Sequence, residues 1–464
     1  MLRHVAVIDI GKSNAKVAVV DLQSNTEIAV RKQANHILAA APYPHYDVET
    51  IWAFILGALS ELNRETSIDA ISVTTHGATA ALLDDAGKLA LPILDYEFDG
   101  YGALAKTYDT LRPGFSQTGS PRLPMGLNLG AQLYWLEHSF PPEFAKTKHI
   151  VMYPQYWSYR FTGVAANEVT SLGCHTDLWN PMRGDYSHLV DTMKWRKLFA
   201  PLRSAADVLG SITADIAQQT GLPLTTPVVV GIHDSNASVV PHLLQHSKPF
   251  AVVSTGTWVV CMAIGENQKP LDKNRDTLIN VNAFGAAMPS ARFMGGREFE
   301  KLSHGHSDTY TIENVDVVLA GSAFLLPSVV EGSGPYPNHK HQWIGTPKAG
   351  EFHVALSFYL ALMTATCLDL IGAEGEIILE GPFLKNEPFK AMLEAATGRP
   401  VVAGQSGSTG TTIGAALLFS SAAPSAMIKN QKAAANLSLY KNYAQQWQEL
   451  VKARKKHSTQ NVTL

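Results

Sequence analysis

The sequence predicts an α/β protein of two related domains, and three observations carry that reading. Two stretches half a chain apart have one design: Val5 to Lys16 running into Val17–Asp21, and Ala251 to Trp258 running into Val259–Met262. Each is a strand, a tight turn of small and hydroxyl residues, and a second strand. Strands then alternate with helical patterns over both halves, the signature of the α/β class. No Ser/Gly linker interrupts the chain, so the domains are expected to be tightly joined, as 1–243 and 244–464.

The elements follow in order. Residues 5–21 read as a hairpin. Thr50 to Asn63 places Ile51, Phe54, Ile55, Ala58, Leu59 and Leu62 on one helical face. Ala70–Thr75 is a strand that ends at His76-Gly77, and Ala80–Asp84 is the next. Residues 95–130, rich in Gly, Pro and polar types, read as loops with a short helix. Leu129–Glu137 and Pro154–Phe161 read as helices. Pro227–Gly231 is a buried strand that leads through Ile232-His233-Asp234 into a helix start. The second hairpin begins near Phe250, and Gly321–Pro337 is loop around a short strand. Ala355–Ile371 reads as an apolar helix, Ile377–Leu379 and Val401–Ala403 as strands, Gly414–Ser421 as a helix, and Tyr440–Lys456 as a helix with a basic end.

Composition narrows the function classes. The chain has 464 residues, 46% hydrophobic, with a formal charge of −3. That balance gives no electrostatic case for nucleic acid or an anionic membrane. Cys174, Cys261 and Cys367 are far apart and in no ligand spacing, which points to a reduced, cytoplasmic setting. The N-terminus enters a strand containing Asp9 rather than a signal peptide. No uninterrupted apolar run approaches the ~18 residues of a spanning helix.

Turns of this kind expose N–H groups and hydroxyls that can cradle phosphate. Ala6–Ser13 imitates a P-loop, but Val5–Ile10 is itself the strand and Val17–Val20 is a β-branched run, not the helix a P-loop needs. Asp9 at the strand tip suits Mg²⁺, which takes few carboxylates plus phosphate oxygens; a turn-capping Asp is the alternative. Lys12 and Lys16 could neutralise phosphate, though a solvated edge lysine also fits Lys16. Thr255 and Thr257 offer hydroxyls, and Gly256 permits close backbone approach. Trp258 fits the core better than a contact. Asp234 stands at a strand's C-terminal end, where open α/β sheets bind ligands, and can take the proton of an attacking hydroxyl; an N-cap is the alternative. His76 fits a hydroxyl contact and a turn histidine equally. His304/His306 and His339/His341 lie in loops without a carboxylate cluster, so zinc is not expected. No nucleophile elbow is present.

Taken together, these motifs resemble the FGGY carbohydrate kinases of the actin/hexokinase/Hsp70-like superfamily, from residue 4 to about 421. The first phosphate motif reads Asp9-Ile10-Gly11-Lys12-Ser13-Asn14-Ala15-Lys16. The second reads Ser254-Thr255-Gly256-Thr257-Trp258, a wording close to rhamnulose kinases. Gly231-Ile232-His233-Asp234-Ser235-Asn236-Ala237 matches the catalytic-Asp segment. Glu380-Gly381-Pro382-Phe383-Leu384-Lys385-Asn386, then Thr397-Gly398-Arg399-Pro400-Val401, matches the adenosine motif. Gly410–Ala416 matches the closing helix, and Pro154–Gly163 a further family segment.

The resemblance implies two RNase H-like, actin-like ATPase domains with ATP·Mg²⁺ in the cleft between them. It implies Asp234 as general base, with Asp9 on the metal. Gly11, Lys12, Ser13, Asn14, Lys16, Thr255, Gly256, Thr257, Gly381, Pro382 and Asn386 would hold the nucleotide. The sugar would meet His76, Gly77, Glu97 and Asp234, and the product would be a ketose 1- or 5-phosphate. The partner implied is a small sugar; assembly stays open, a homodimer included. Lys12 replaces the usual Thr, Ser or Ala, Pro382 replaces the second adenosine Gly, and Pro92–Gly102 lacks the Trp-x-Asp-x-Arg wording of xylulose and glycerol kinases. These departures leave the sugar, or a polyol, undecided. A nucleotide-gated clamp of the actin or Hsp70 type is the rival reading.

Overall fold

The computed structural model describes residues 2–266, 269–404, 410–420 and 437–460. The chain divides into two compact units. One comprises Met1–His246, Ile279–Ala287 and Ser408–Ser425; the other comprises Ser247–Leu278, Met288–Gly407 and Ala426–Leu464. The single boundary expected near residue 243 therefore accounts for only the first crossing, because two later segments return to the first unit.

The first unit is built on a mixed sheet. Its strands lie in the order Thr26–Ala34, Asn14–Asp21, His4–Ile10, Ala70–Thr75 and Pro227–Val229, with Val208–Ser211 at the far edge. The first three are antiparallel neighbours and the next two join in parallel. The β-branched runs explain the centre: Val5, Val7, Ile8, Val17, Val19 and Val20 are all fully buried. The helix Val48–Glu65 starts at Asp47, whose carboxylate accepts from Thr50 N at 3.1 Å. It buries Ile51, Ile55, Leu59 and Leu62 on one face.

Register positions the site. Ile232–His233 runs parallel to Ala70–Thr75 and sets His233 beside Thr75. His76 and Asp234 are therefore the next residues on adjacent parallel strands. His4–Ile10 sets Ile10 beside Thr75 on the other side. These strand ends form the C-terminal edge at which open sheets present their chemistry.

The second unit repeats the plan. Ala287–Phe293, Val259–Ile264, Phe250–Thr255, Glu376–Glu380 and Val401–Ala403 follow one another with the same sequence of antiparallel and parallel pairings. Two copies of one topology make this the two-domain α/β architecture the paired hairpins predict. The helix Glu351–Leu370 packs in the core of this unit with Phe389, Met392 and Trp447. By length and composition alone it could cross a membrane, but 78% of its apolar window is buried inside the protein. Ser357, Thr364 and Thr366 interrupt it, so no uninterrupted apolar run reaches that length. The apolar residues face protein on all sides, as in a core helix.

Other expectations need adjusting. Residues 95–130 hold two helices, Gly102–Leu111 and Phe115–Thr118, rather than one short one. Their polar outer faces hide the period. The closing helix runs Gly410–Ala416, as the resemblance implies, so the helix read from Gly414 to Ser421 begins four residues earlier; Ser421 lies outside the described residues. Thr26–Ala34 is a strand with no counterpart in the sequence reading, because it alternates half-buried and exposed positions.

Candidate active site

In the first unit the hairpin turn is closed by Gly11 N–H donating to Asn14 O at 2.9 Å. Asp9 pairs in register with Lys16 across it. Lys16 Nζ lies 3.3 Å from Asp9 Oδ2 and 3.0 Å from Glu27 Oε1, and it donates to Thr412 Oγ1. Thr412 Oγ1 also approaches Asp9 Oδ2 at 3.5 Å. Burial raises the Asp9 carboxyl above its usual range, Lys16 opposes this, and the charge of Asp234 adds to it. Asp9 is thus a strand residue held by Lys16, and among the described bonds no backbone N–H uses it as a cap. Lys16 is not a solvated edge lysine. Ser13 and Asn14 are exposed at the tip.

Mg²⁺ takes one or two carboxylates with water and phosphate oxygens making up the rest. Asp9 crowded by Asp234 and Glu27 fits that donor set, since a cation would relieve the repulsion that burial makes costly.

Asp234 opens the short helix Asp234–Ala237; the N-cap is His233. Its Oδ1 accepts from Ser235 N at 2.5 Å and from Ser235 Oγ at 3.2 Å. Burial raises its carboxyl above the ordinary value, although 31% of the side chain stays exposed. His233 Nε2 lies 3.2 Å from the same Oδ1. His233 Nδ1 faces Asn236 Nδ2 at 3.0 Å. An amide donating to Nδ1 leaves the imidazole proton on Nε2, which lies near the Asp234 carboxylate without making a hydrogen bond to it. Burial holds His233 down at about 4, so the ring is neutral at pH 7. Sequence reasoning missed this His233 contact. Its signal was the His-Asp-x-Asn spacing within Ile232–Asn236.

Gly77 belongs to the same arrangement. A Cβ there would sit 2.9 Å from His233 Nε2, so the glycine gives the imidazole room. His76 is 7% exposed, and burial holds it at about 4. Its Nδ1–H donates to Gly77 O at 2.9 Å. Nε2 is therefore a bare acceptor, and it has no partner among the described residues. Tyr46, Tyr96 and Tyr153 surround the ring at 5.3, 5.2 and 5.0 Å.

Lys12 goes elsewhere than phosphate reasoning places it. Its ammonium bonds Asp95 Oδ1 and lies 3.4 Å from Glu97 Oε2. It also stands 4.7 Å from the centre of the Tyr96 ring and 5.3 Å from that of Tyr46. Glu97 is half exposed beside it.

The second unit carries a cavity of about 500 Å³ whose lining includes Gly256, Thr257, Phe299, Tyr310, Pro382 and Asn386. Gly256 N–H donates to Trp258 O at 2.9 Å and closes the turn. Thr257 is exposed at its tip. Thr255 is committed to structure: its hydroxyl donates to Glu380 O at 2.5 Å and accepts from Phe383 N at 3.2 Å. Gly381 lies at φ +82°, and a Cβ there would come 1.9 Å from Thr255 O. Pro382 begins the turn Pro382–Lys385. Asn386 caps the helix Glu387–Thr397 through Phe389 N at 3.0 Å and donates to Ser357 Oγ at 2.9 Å. Thr255, Gly381 and Asn386 thus shape this cavity by holding its loops. Trp258 is half-buried, with Arg292 4.8 Å from the centre of its ring.

Comparison with known proteins follows from this geometry. Residues 4–241 match the N-terminal domain model of the FGGY family of carbohydrate kinases, and residues 247–428 match the carbohydrate kinase FGGY C-terminal domain. A solved carbohydrate kinase from Novosphingobium aromaticivorans is 34% identical, covers 98% of this chain and 99% of its own, and superposes with a TM-score of 0.90. L-fuculokinase of Salmonella typhi is 27% identical over 267 residues, 56% of each chain. Rhamnulokinase of Pectobacterium atrosepticum is 26% identical over 307 residues, 63% of this chain and 59% of the relative. The matches thus span little more than half the length of these curated relatives. With both domain models matched in order, the chain belongs to the FGGY family of carbohydrate kinases.

Proposed function

We propose that this protein is an ATP-dependent kinase that phosphorylates a terminal hydroxyl of an uncharged ketose. The observation that carries the proposal is Asp234: a carboxylate at a strand end, raised by burial, held by the N–H and hydroxyl of Ser235, and next in register to His76 with its bare Nε2. A base with a raised pKa and a fixed lone pair is suited to hydroxyl deprotonation. The acceptor hydroxyl gives its proton to Asp234 as its oxygen bonds to the γ-phosphorus of ATP, and ADP departs. Asp9 would hold Mg²⁺, which supplies neutralisation of phosphate charge when bound. The cavity of the second unit, with Thr257 at its edge, suits the nucleoside. His233, 3.2 Å from the carboxylate, limits where Asp234 can turn without touching substrate.

The relatives named fuculokinase and rhamnulokinase favour a 6-deoxyketohexose, L-fuculose or L-rhamnulose, as first acceptors to try. The burial of Cys174, Cys261 and Cys367 agrees with a cytoplasmic setting. The test is Mg·ATP turnover across 6-deoxyketohexoses, ketopentoses and polyols. A sharp rise with one ketose and a matching sugar phosphate is expected. Turnover indifferent to every sugar would overturn the reading in favour of a nucleotide-gated clamp; a polyol preference would overturn the ketose.

A further inference from the structure

Lys12 sits in the turn between two strands whose tip is shaped for phosphate, yet its ammonium points at another wall. It bonds Asp95 and lies 3.4 Å from Glu97 Oε2. It rests against Tyr96 and Tyr46, the two rings that flank His76. The charge of Lys12 is felt at His76. Asp95 is held in turn: its Oδ1 accepts from Glu97 N at 3.1 Å, and its own N–H donates to Pro44 O at 3.0 Å. The pair is buried: Lys12 keeps 20% of its side chain exposed and Asp95 9%. Lys16, the other lysine of the hairpin, is spent on Asp9 and Glu27.

We propose that Lys12 and Asp95 form an acceptor-recognition subsite that selects an uncharged sugar with a vicinal diol and excludes sugar acids. The proposal rests on the kinase reading above and deepens it. An ammonium has three N–H groups. Asp95 takes one and Glu97 attracts the ammonium from 3.4 Å without a hydrogen bond, which leaves N–H capacity for a hydroxyl oxygen. Asp95 Oδ2 has no hydrogen bond among the described residues, so it can accept from the neighbouring hydroxyl. A vicinal diol satisfies both at once. The charge balance decides what is refused. Lys12 faces two carboxylates, and Tyr96, against which it rests, feels Glu97, Asp95 and Asp234 alike, so a carboxylate on the acceptor meets net repulsion. A lysine free to bind phosphate would lack this double acidic clamp.

The experiment uses Lys12→Met and Asp95→Asn in the full chain. Calorimetry measures binding of the best ketose and of Mg·ATP separately, and kcat/KM is compared for that ketose and the corresponding aldonate. Loss of a charged hydrogen bond is expected to weaken ketose binding about 10- to 100-fold in either variant. Mg·ATP affinity should stay within about threefold. Asp95→Asn should narrow the preference for ketose over aldonate. Weakened Mg·ATP with unchanged ketose binding would assign Lys12 to phosphate and overturn the proposal. So would ketose and Mg·ATP affinities both unchanged in two folded variants, which would make the pair a structural clamp only. If Lys12→Met fails to fold, Asp95→Asn decides alone, since it keeps the side-chain shape. Failure of the kinase reading looks different: the unaltered protein would then show no ketose-stimulated turnover.

Discussion

The two hairpins share a topology and differ in how they use their tips. In the first unit the tip is ionic. Asp9 and Lys16 face each other across the hairpin, Glu27 of the neighbouring strand joins Lys16, and Lys12 meets Asp95 from farther along the same unit. In the second the tip is uncharged. Thr255 stitches it to the loop at Glu380–Phe383, and glycines at 296 and 381 let the backbones close in. One hairpin manages charge and the other manages shape. On the proposed function a duplicated fold has divided its labour: the unit with carboxylates would handle proton and acceptor, and the unit with a cavity the nucleoside.

The comparison breaks most sharply at the base. Asp234→Asn should cut kcat by about 10²–10⁴-fold while nucleotide binding to the second unit persists. Turnover close to the parent would remove Asp234 from the chemistry. Next in size is Gly381→Ala. With φ at +82° and a Cβ 1.9 Å from Thr255 O, the loop must move. A loss of roughly 2–4 kcal/mol of stability is expected from strain and clash together. Nucleotide affinity should fall with it while ketose binding is spared. Equal loss of both ligands would show that shape is not confined to the second unit.

His233 sharpens the ionic side. His233→Leu should lower kcat by about tenfold and move the acid limb of the kcat/KM profile to higher pH. With Asp234 as the proposed base, activity falls as pH drops through its raised pKa, and an apolar side chain in place of the imidazole 3.2 Å away desolvates the carboxylate and raises that pKa further. His233→Gln, which can present an N–H at the same reach, should restore both. An unmoved limb in the Leu variant would make His233 mere packing.

The smallest effect is on stability. His76 and His233 are neutral in the fold down to about pH 4, whereas the unfolded chain protonates them near 6.5. Unfolding therefore takes up protons between about 6.5 and about 4, and their contribution to stability falls as pH falls through that window. Glu168 and Glu298, pushed up to about 7 by burial, act in the opposite sense between about 4.5 and 7. The clean measurement is a difference: denaturant unfolding of His76→Gln against the parent. The variant's stability should drop less on acidification by about one proton's worth, ~1.4 kcal/mol per pH unit. Parallel curves would show that His76 titrates normally.

Much of this was legible in the sequence because it is local. Hairpins, strand ends and the Gly-x-x-Asp step into a helix are written in runs of a few residues, and they place Asp9, His76 and Asp234 correctly on the sheet. What stayed hidden depends on partners far along the chain. Lys12 meets Asp95, and Lys16 meets Thr412, across separations no periodicity encodes. Thr255 and Asn386 read as ligand contacts because hydroxyls and amides suit ligands, but the same groups also suit loop stitching and helix capping. The Thr26–Ala34 strand escaped for a different reason: an edge strand with charged outer positions resembles a polar loop.

The return of Gly410–Ala416 to the first unit sets an order of assembly. Ala415 O accepts from Ser72 Oγ at 2.7 Å, and Gly414 lies where a Cβ would strike Ala237 O at 1.8 Å. Ile413, Ala415 and Ala416 complete the apolar layer over Val5, Val7 and Ile232. A ribosome releases residue 246 well before residue 410. At ~5–20 residues per second that interval is on the order of ten seconds. Through it the nascent first unit holds an uncovered apolar face and a Ser72 without its acceptor. The two halves of this gene consequently cannot be expressed as a cut pair at residue 246 and each be whole: the front half would leave the ribosome missing a wall that only the back half encodes.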